Sequence, residues 1–184
     1  IYQCNVNEMP FKENTFDIVF CFGVLQHTPK VSDTIKNLLK YAKKDALVVV
    51  DFYPIKGWWT KIHAKYFFRI FTTKISNDTL FKIIKINIRW LIPLYLFFKT
   101  IKLGFLTRFL PICDFDSKIY NKLSKKEREE WIILDTFDQY SPKYDQPQKI
   151  DNVRKIFEKF NSKVIFSGLI NYDDQCSAVV RAIK

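Results

Sequence analysis

The six residues Leu47-Val48-Val49-Val50-Asp51-Phe52 constrain this chain more than any other stretch. A short apolar run rich in β-branched side chains, here within Ala46 to Tyr53, reads as a strand covered on both faces, as parallel sheets require. Phe16 to Phe22 reads as a second buried strand, ended by a turn at Gly23. Between the two, Ile35, Leu38, Leu39 and Ala42 recur at helical spacing, with Thr28-Pro29 or Ser32-Asp33 as alternative helix starts. Strand, helix, strand in this order predicts a right-handed βαβ crossover and an α/β fold.

The remaining elements fit around that unit. Ile1 to Asn5 reads as the end of another strand, and Pro10 with Lys12-Glu13-Asn14-Thr15 as a loop. Trp58 to Phe71, Thr79 to Phe98 and Ser124 to Trp131 look helical, with breaks expected near Ser76-Asn77, Pro93, Gly104 and Pro111. After a polar, turn-rich stretch from Asp135 to Gln148, Ile150 to Phe160 reads as an amphipathic helix, followed by closing strands at Lys163–Ser167 and Ala178–Ile183.

Composition removes several function classes. The chain has only four glycines, none close enough to another to form a phosphate-cradling loop. Its four cysteines show no C-x-x-C spacing and its two histidines are far apart, so neither a metal site nor a disulfide framework is indicated. The first residues carry no charged segment followed by an apolar run, so no secretory signal is visible and a cytoplasmic location is expected.

The net charge of +11 is concentrated. Lys56 to Leu110 holds eleven Lys or Arg against Asp78 alone, a net +10, together with Trp58, Trp59, Trp90 and several phenylalanines. A basic, aromatic insert predicts an anionic partner. Lys82, Lys85 and Arg89 interrupt the apolar stretch Thr79–Phe98, which argues against a spanning helix. Two readings remain: a peripheral contact with an anionic membrane surface through residues 56–110, or a lid over the protein's own sheet. Nucleic acid is an unlikely partner, since no reader motif is present.

Two segments carry a resemblance. Asn5-Val6-Asn7-Glu8-Met9-Pro10-Phe11 and Phe16-Asp17-Ile18-Val19-Phe20-Cys21-Phe22-Gly23-Val24-Leu25-Gln26-His27 resemble consecutive motifs of class I S-adenosylmethionine-dependent methyltransferases, of the methyltransferase type 11 kind. Leu134-Asp135-Thr136-Phe137-Asp138-Gln139-Tyr140-Ser141-Pro142-Lys143-Tyr144 resembles a segment of a subset of these enzymes, often ones acting on cell-surface glycans or lipids. The resemblance implies a Rossmann-like methyltransferase fold that is incomplete here, with strands 1 and 2 missing and a helical insertion. The start at Ile1 and the absence of a glycine-rich turn lead to the expectation that these residues form the C-terminal portion of a larger enzyme, inactive alone. The implied organisation is a cofactor-binding core over 1–55 (strands 3 to 5), an insertion or lid over 56–130, and the rest of the core over 131–184.

The same resemblance implies S-adenosylmethionine as cofactor and a small-molecule, lipid or glycan acceptor. The Asn5 side chain would accept from the adenine amine and the Val6 N–H would meet a ring nitrogen. The family usually has Asp where Asn5 stands, and an amide oxygen accepts without the assistance of charge. Cys21 and Phe22 would line the cofactor at the second strand end. His27 is the candidate base, with helix capping or packing beneath the cofactor as the competing role. Asp138, Tyr140 and Tyr144 are candidate acceptor contacts, or equally turn starts and packing residues. Two other classes stay open: a catalytically inactive, membrane-peripheral binding module, and another Rossmann-like nucleotide enzyme such as a dehydrogenase.

Overall fold

The computed structural model describes residues 1–172 and 175–184. They form two compact units: Ile1–Lys56 with Tyr144–Lys184, and Gly57–Lys143.

The first unit is built on a four-stranded sheet. Strand β1 (Phe16–Cys21) leads through a short 3-10 turn (Leu25–His27) and helix α1 (Val31–Tyr41) into β2 (Ala42–Phe52). β1 and β2 pair in parallel, with Ile18 opposite Leu47 and Cys21 opposite Val50, the arrangement expected of strand, helix, strand. Helix α6 (Ile150–Lys159) then precedes β3 (Lys163–Tyr172) and β4 (Gln175–Ile183), an antiparallel pair. β4 also runs antiparallel to β2, which gives the order β1-β2-β4-β3 and an α/β fold with an open sheet.

Burial follows the sequence pattern in β2 but not in β1, which reads as buried and instead stands at the sheet edge with Ile18 and Phe20 51% and 60% exposed. Val48, Val50 and Phe52 of β2 lie within one core together with Ile35, Leu38 and Leu39 of α1, Val153 and Phe157 of α6, and Ala178, Val180 and Ala182 of β4. Each large aliphatic side chain removed from water here contributes about 1.5–3 kcal/mol before entropy is counted. β2 begins at Ala42, four residues earlier than its apolar run, and a register shift between Phe16 and Ile18 absorbs the extra length, with Asp45 at φ 64. Neither expected cap opens α1. Its N-cap is Lys30, and Thr28 instead donates its hydroxyl to the Leu25 carbonyl at 2.8 Å.

Ile1 to Asn5 is not a strand. A strand needs a neighbour to take its N–H and C=O groups, and β1 is the last strand on its side among the described residues. Residues 1–5 are exposed.

The second unit is helical: α2 (Ala64–Thr72), α3 (Asn77–Thr100), α4 (Lys118–Asn121) and α5 (Lys125–Tyr140), with short 3-10 turns at Trp58–Lys61 and Gly104–Phe109. Ser76 caps α3 by accepting from the Thr79 N–H, and Ser124 with Glu127 forms a reciprocal capping box on α5. Its core is separate from that of the sheet unit. Ile84, Ile88, Leu91 and Tyr95 of α3 meet Ile132, Ile133 and Tyr140 of α5. Helix α3 runs through Pro93 instead of breaking there, because buried residues on both sides of the proline hold the two halves on one packing surface. α5 likewise extends to Tyr140, so the segment from Asp135 to Tyr140 is helix and not turn. The boundary expected at 130/131 falls inside that helix, and the helical unit runs to Lys143. Arg69, buried on α2, donates to the Gln139 and Pro142 carbonyls and Thr72 to the Tyr140 carbonyl, which ties α2 to the C-terminal end of α5.

Candidate active site

In open α/β sheets, ligands bind beyond the carboxyl ends of the strands, and in the sheet unit that end is formed by residues 21–29, 51–55 and 144–148. Strand β1 stops at Cys21, and the chain turns through Gly23 at φ 67, a left-handed conformation that favours glycine. The Gly23 N–H donates to Asp51 Oδ1 at 2.6 Å, and Ser177 Oγ approaches Asp51 Oδ2 at 3.3 Å. One carboxylate at the end of β2 thus fixes the turn after β1. It also acts on Cys21, whose thiol is pushed up to about 11, first by burial and then by the Asp51 charge. Cys21 is therefore a protonated packing group, while Phe22 next to it stays 52% exposed.

The turn continues into His27, whose Nδ1 lies 3.0 Å from the Tyr144 carbonyl oxygen. A carbonyl only accepts, so Nδ1 carries the proton and, in the neutral ring, Nε2 keeps its lone pair. The ring also stands edge-to-face against Tyr53, with centroids 5.8 Å apart. A strap of chain holds this arrangement. The Gln146 N–H donates to the Gln26 carbonyl at 2.8 Å, and its side-chain amide donates to the Thr28 and Pro29 carbonyls at 3.0 and 2.8 Å. On the other side Gln148 exchanges backbone bonds with Tyr53 and Ile55. Gln26 is 1% exposed, and its side-chain oxygen has no hydrogen-bond partner among the described residues. A buried acceptor of that kind favours a donor arriving from a ligand or from water.

The loop carrying Asn5 and Val6 is pinned to α1. Asn37 donates its side-chain amide to the Val6 carbonyl at 2.5 Å, and the Tyr41 hydroxyl donates to the Met9 carbonyl at 2.8 Å. Asn5 itself makes a turn: its Oδ1 accepts from the Asn7 N–H at 3.0 Å and its carbonyl from the Glu8 N–H at 2.9 Å. An amide oxygen has two lone pairs, so one acceptor position and the NH₂ group remain beyond that bond.

The residues expected to contact an acceptor are divided between the two units. Tyr144 belongs to the sheet unit, where its carbonyl orients His27, whereas Asp138 and Tyr140 belong to the helical unit. Asp138 is exposed on α5. Tyr140 is 2% exposed, and its hydroxyl has no partner among the described residues. Burial pushes that phenol well above its ordinary range. Asp51, Gln26 and Gln146 were not singled out from the sequence, although an acid inside the apolar run Leu47–Phe52 was the visible sign of Asp51.

Residues 1–50, which contain the Asn5 loop, β1 and His27, match the family model of the methyltransferase domain. Over 49 residues, 26% of its length, the chain is 43% identical to an uncharacterized protein of Methanocaldococcus jannaschii, and the alignment spans 22% of that protein. Among solved structures, it is similar to a SAM-dependent methyltransferase from Methanosarcina mazei (12% identity, TM-score 0.47, 98% of this chain and 64% of that one). It is also similar to the magnesium protoporphyrin IX methyltransferase of Synechocystis, determined with bound SAH (15% identity, TM-score 0.43, 98% and 49%).

Proposed function

We propose, from the premise that residues 1–50 are part of a class I methyltransferase domain, that the protein transfers a methyl group from S-adenosylmethionine to a small-molecule, lipid or glycan acceptor. The observation that carries the catalytic part of this reading is the His27–Tyr144 contact, which leaves Nε2 as the basic nitrogen of the neutral ring. Nε2 would take the proton from an acceptor hydroxyl or amine as the nucleophile bonds to the methyl carbon and the carbon–sulfur bond of the sulfonium breaks, the sulfur leaving as a neutral thioether.

The residues present fit the cofactor. Asn5 offers an amide acceptor and donor on a loop tied to α1, Phe22 an exposed apolar ring beyond β1, and Gln26 a buried acceptor awaiting a donor. Asn5 and Val6 would hold the adenine, with Cys21 and Phe22 closing the pocket beside the Gly23 turn. S-adenosylmethionine supplies an electrophilic methyl group on a sulfonium, so positioning and exclusion of water provide much of the rate. Of the candidate acceptor contacts, Tyr144 remains in this proposal through its strap, while the buried Tyr140 hydroxyl and the helical-unit Asp138 form no part of it.

The helical unit is the proposed contact with an anionic membrane surface. Trp58, Trp59 and Trp90 are 79%, 48% and 53% exposed, among basic side chains of the 56–110 stretch, as interfacial anchors require. Among the described residues no helix is long and apolar enough to cross a membrane, and peripheral attachment from the cytoplasmic side is the location that fits this reading.

The test is label transfer. The full-length gene product, incubated with methyl-labelled S-adenosylmethionine and fractionated cell extract, should label an acceptor in one fraction. His27→Asn should abolish most of the label. Equal labelling by wild type and variant would remove His27 from the chemistry, and no labelling in any fraction would count against methyl transfer.

A further inference from the structure

The helical unit contains a cavity of 890 Å³ between α3 and α5, within the ~300–1,000 Å³ range of small-molecule sites. Its floor is apolar, formed by Ile92, Leu96, Phe115 and Ile132, and three cations, Arg89, Lys125 and Arg128, line it against a single carboxylate, Glu129. We propose that this cavity binds a single-chain anionic amphiphile, with the chain on the apolar floor and a phosphate or carboxylate head among Arg89, Lys125 and Arg128.

Two observations support this occupant. The side chains of Arg89 and Lys125 make no hydrogen bond or ion pair among the described residues, and Lys125 leaves the Glu129 side chain unpaired although the two stand four apart on α5. Arg128 spends only its Nε there, on the Tyr120 carbonyl at 3.0 Å. Cations beside a low-dielectric floor favour a counter-ion more strongly than they would in water, and guanidinium groups match the planar or tetrahedral oxygens of carboxylate and phosphate. A compact anion would leave the apolar floor wet, and a neutral chain would leave three cations facing the single carboxylate of Glu129.

The inference is independent of the methyl-transfer reading and needs no cofactor. It is tested by calorimetry on the full chain with 1-oleoyl lysophosphatidate below its critical micelle concentration. We expect saturable 1:1 binding, at least about tenfold tighter than for the uncharged 1-oleoylglycerol, with no detectable heat from glycerol 3-phosphate. Leu96→Trp, which fills the floor, and the double variant Arg89→Ala/Lys125→Ala, which removes the free cations, should each weaken binding by about tenfold or more while circular dichroism stays unchanged. Equal affinity for the neutral chain would leave only an apolar cavity. Equal affinity for glycerol 3-phosphate would leave only a surface anion site. Undiminished binding in both variants, or no saturable binding at all, would overturn the proposal.

Discussion

His27 Nδ1 meets the carbonyl oxygen of Tyr144, 117 residues later in the chain, at 3.0 Å. The bond is to backbone, so the side chain of Tyr144 is not needed for it. Tyr144→Phe should therefore leave turnover unchanged. His27→Asn, which can still donate to the carbonyl, should lower kcat on the order of a hundredfold or more with little change in the KM for S-adenosylmethionine. Steady-state kinetics on the two variants separates these outcomes.

Cysteine reactivity reports the burial at the end of β1. The Cys21 thiol is pushed up to about 11 by burial and Asp51, and the Cys113 thiol to about 11 chiefly by burial. Cys4 is exposed. Iodoacetamide at pH 8 should modify Cys4 within minutes and leave Cys21 and Cys113 unmodified until the protein is denatured, as peptide mapping would show. Rapid alkylation of Cys21 in the folded protein would contradict the packing described here.

The helical unit should lose stability in acid. His63 caps α2 by accepting the Lys65 N–H at Nδ1, and its pKa is lowered from 6.5 to about 4, first by burial and then by Arg108 and Lys65. The unfolded state therefore binds the proton first. The stability this group contributes is fully present above pH 6.5 and is lost as pH falls toward about 4. His63→Asn keeps a capping oxygen but does not titrate, so melting temperatures measured between pH 7 and pH 4 should fall less steeply in the variant.

The tryptophans provide a membrane assay. Trp58, Trp59 and Trp90 are exposed, so their emission should start red-shifted, move to the blue on addition of anionic vesicles at low salt, and return as salt rises. Sedimentation with the same vesicles should follow the same salt dependence. An emission maximum unmoved by vesicles, with the protein left in the supernatant, would favour the lid reading of residues 56–110.

Much of the sheet unit was legible because α1 and β2 bury strong apolar patterns, whereas β1, which also reads as buried, leaves Ile18 and Phe20 exposed. The run around Val48–Val50 and the spacing of Ile35, Leu38 and Leu39 lie in one core, and such patterns survive without knowledge of the rest of the fold. The helical unit was harder. Pro93 suggested a break that packing overrides, and the Asp and Ser residues near Tyr140 suggested turns. The four-residue spacing of Ile132, Thr136 and Tyr140, all buried on α5, was the better guide. The site was the least legible part, because its defining contacts join distant residues: Gly23 to Asp51, Gln26 to Gln146 and His27 to Tyr144. Residue types nominated His27, but only the fold shows that its Nδ1 faces the Tyr144 carbonyl.

The most direct test of the account is calorimetric titration of the full-length gene product with S-adenosylhomocysteine, in wild type and in two variants of Asn5. The account predicts saturable binding in the wild type, loss of about 1 kcal/mol in Asn5→Ala, the scale of one net hydrogen bond, and equal or tighter binding in Asn5→Asp. No binding in the wild type, or binding indifferent to both substitutions, would contradict a cofactor site built on the Asn5 loop.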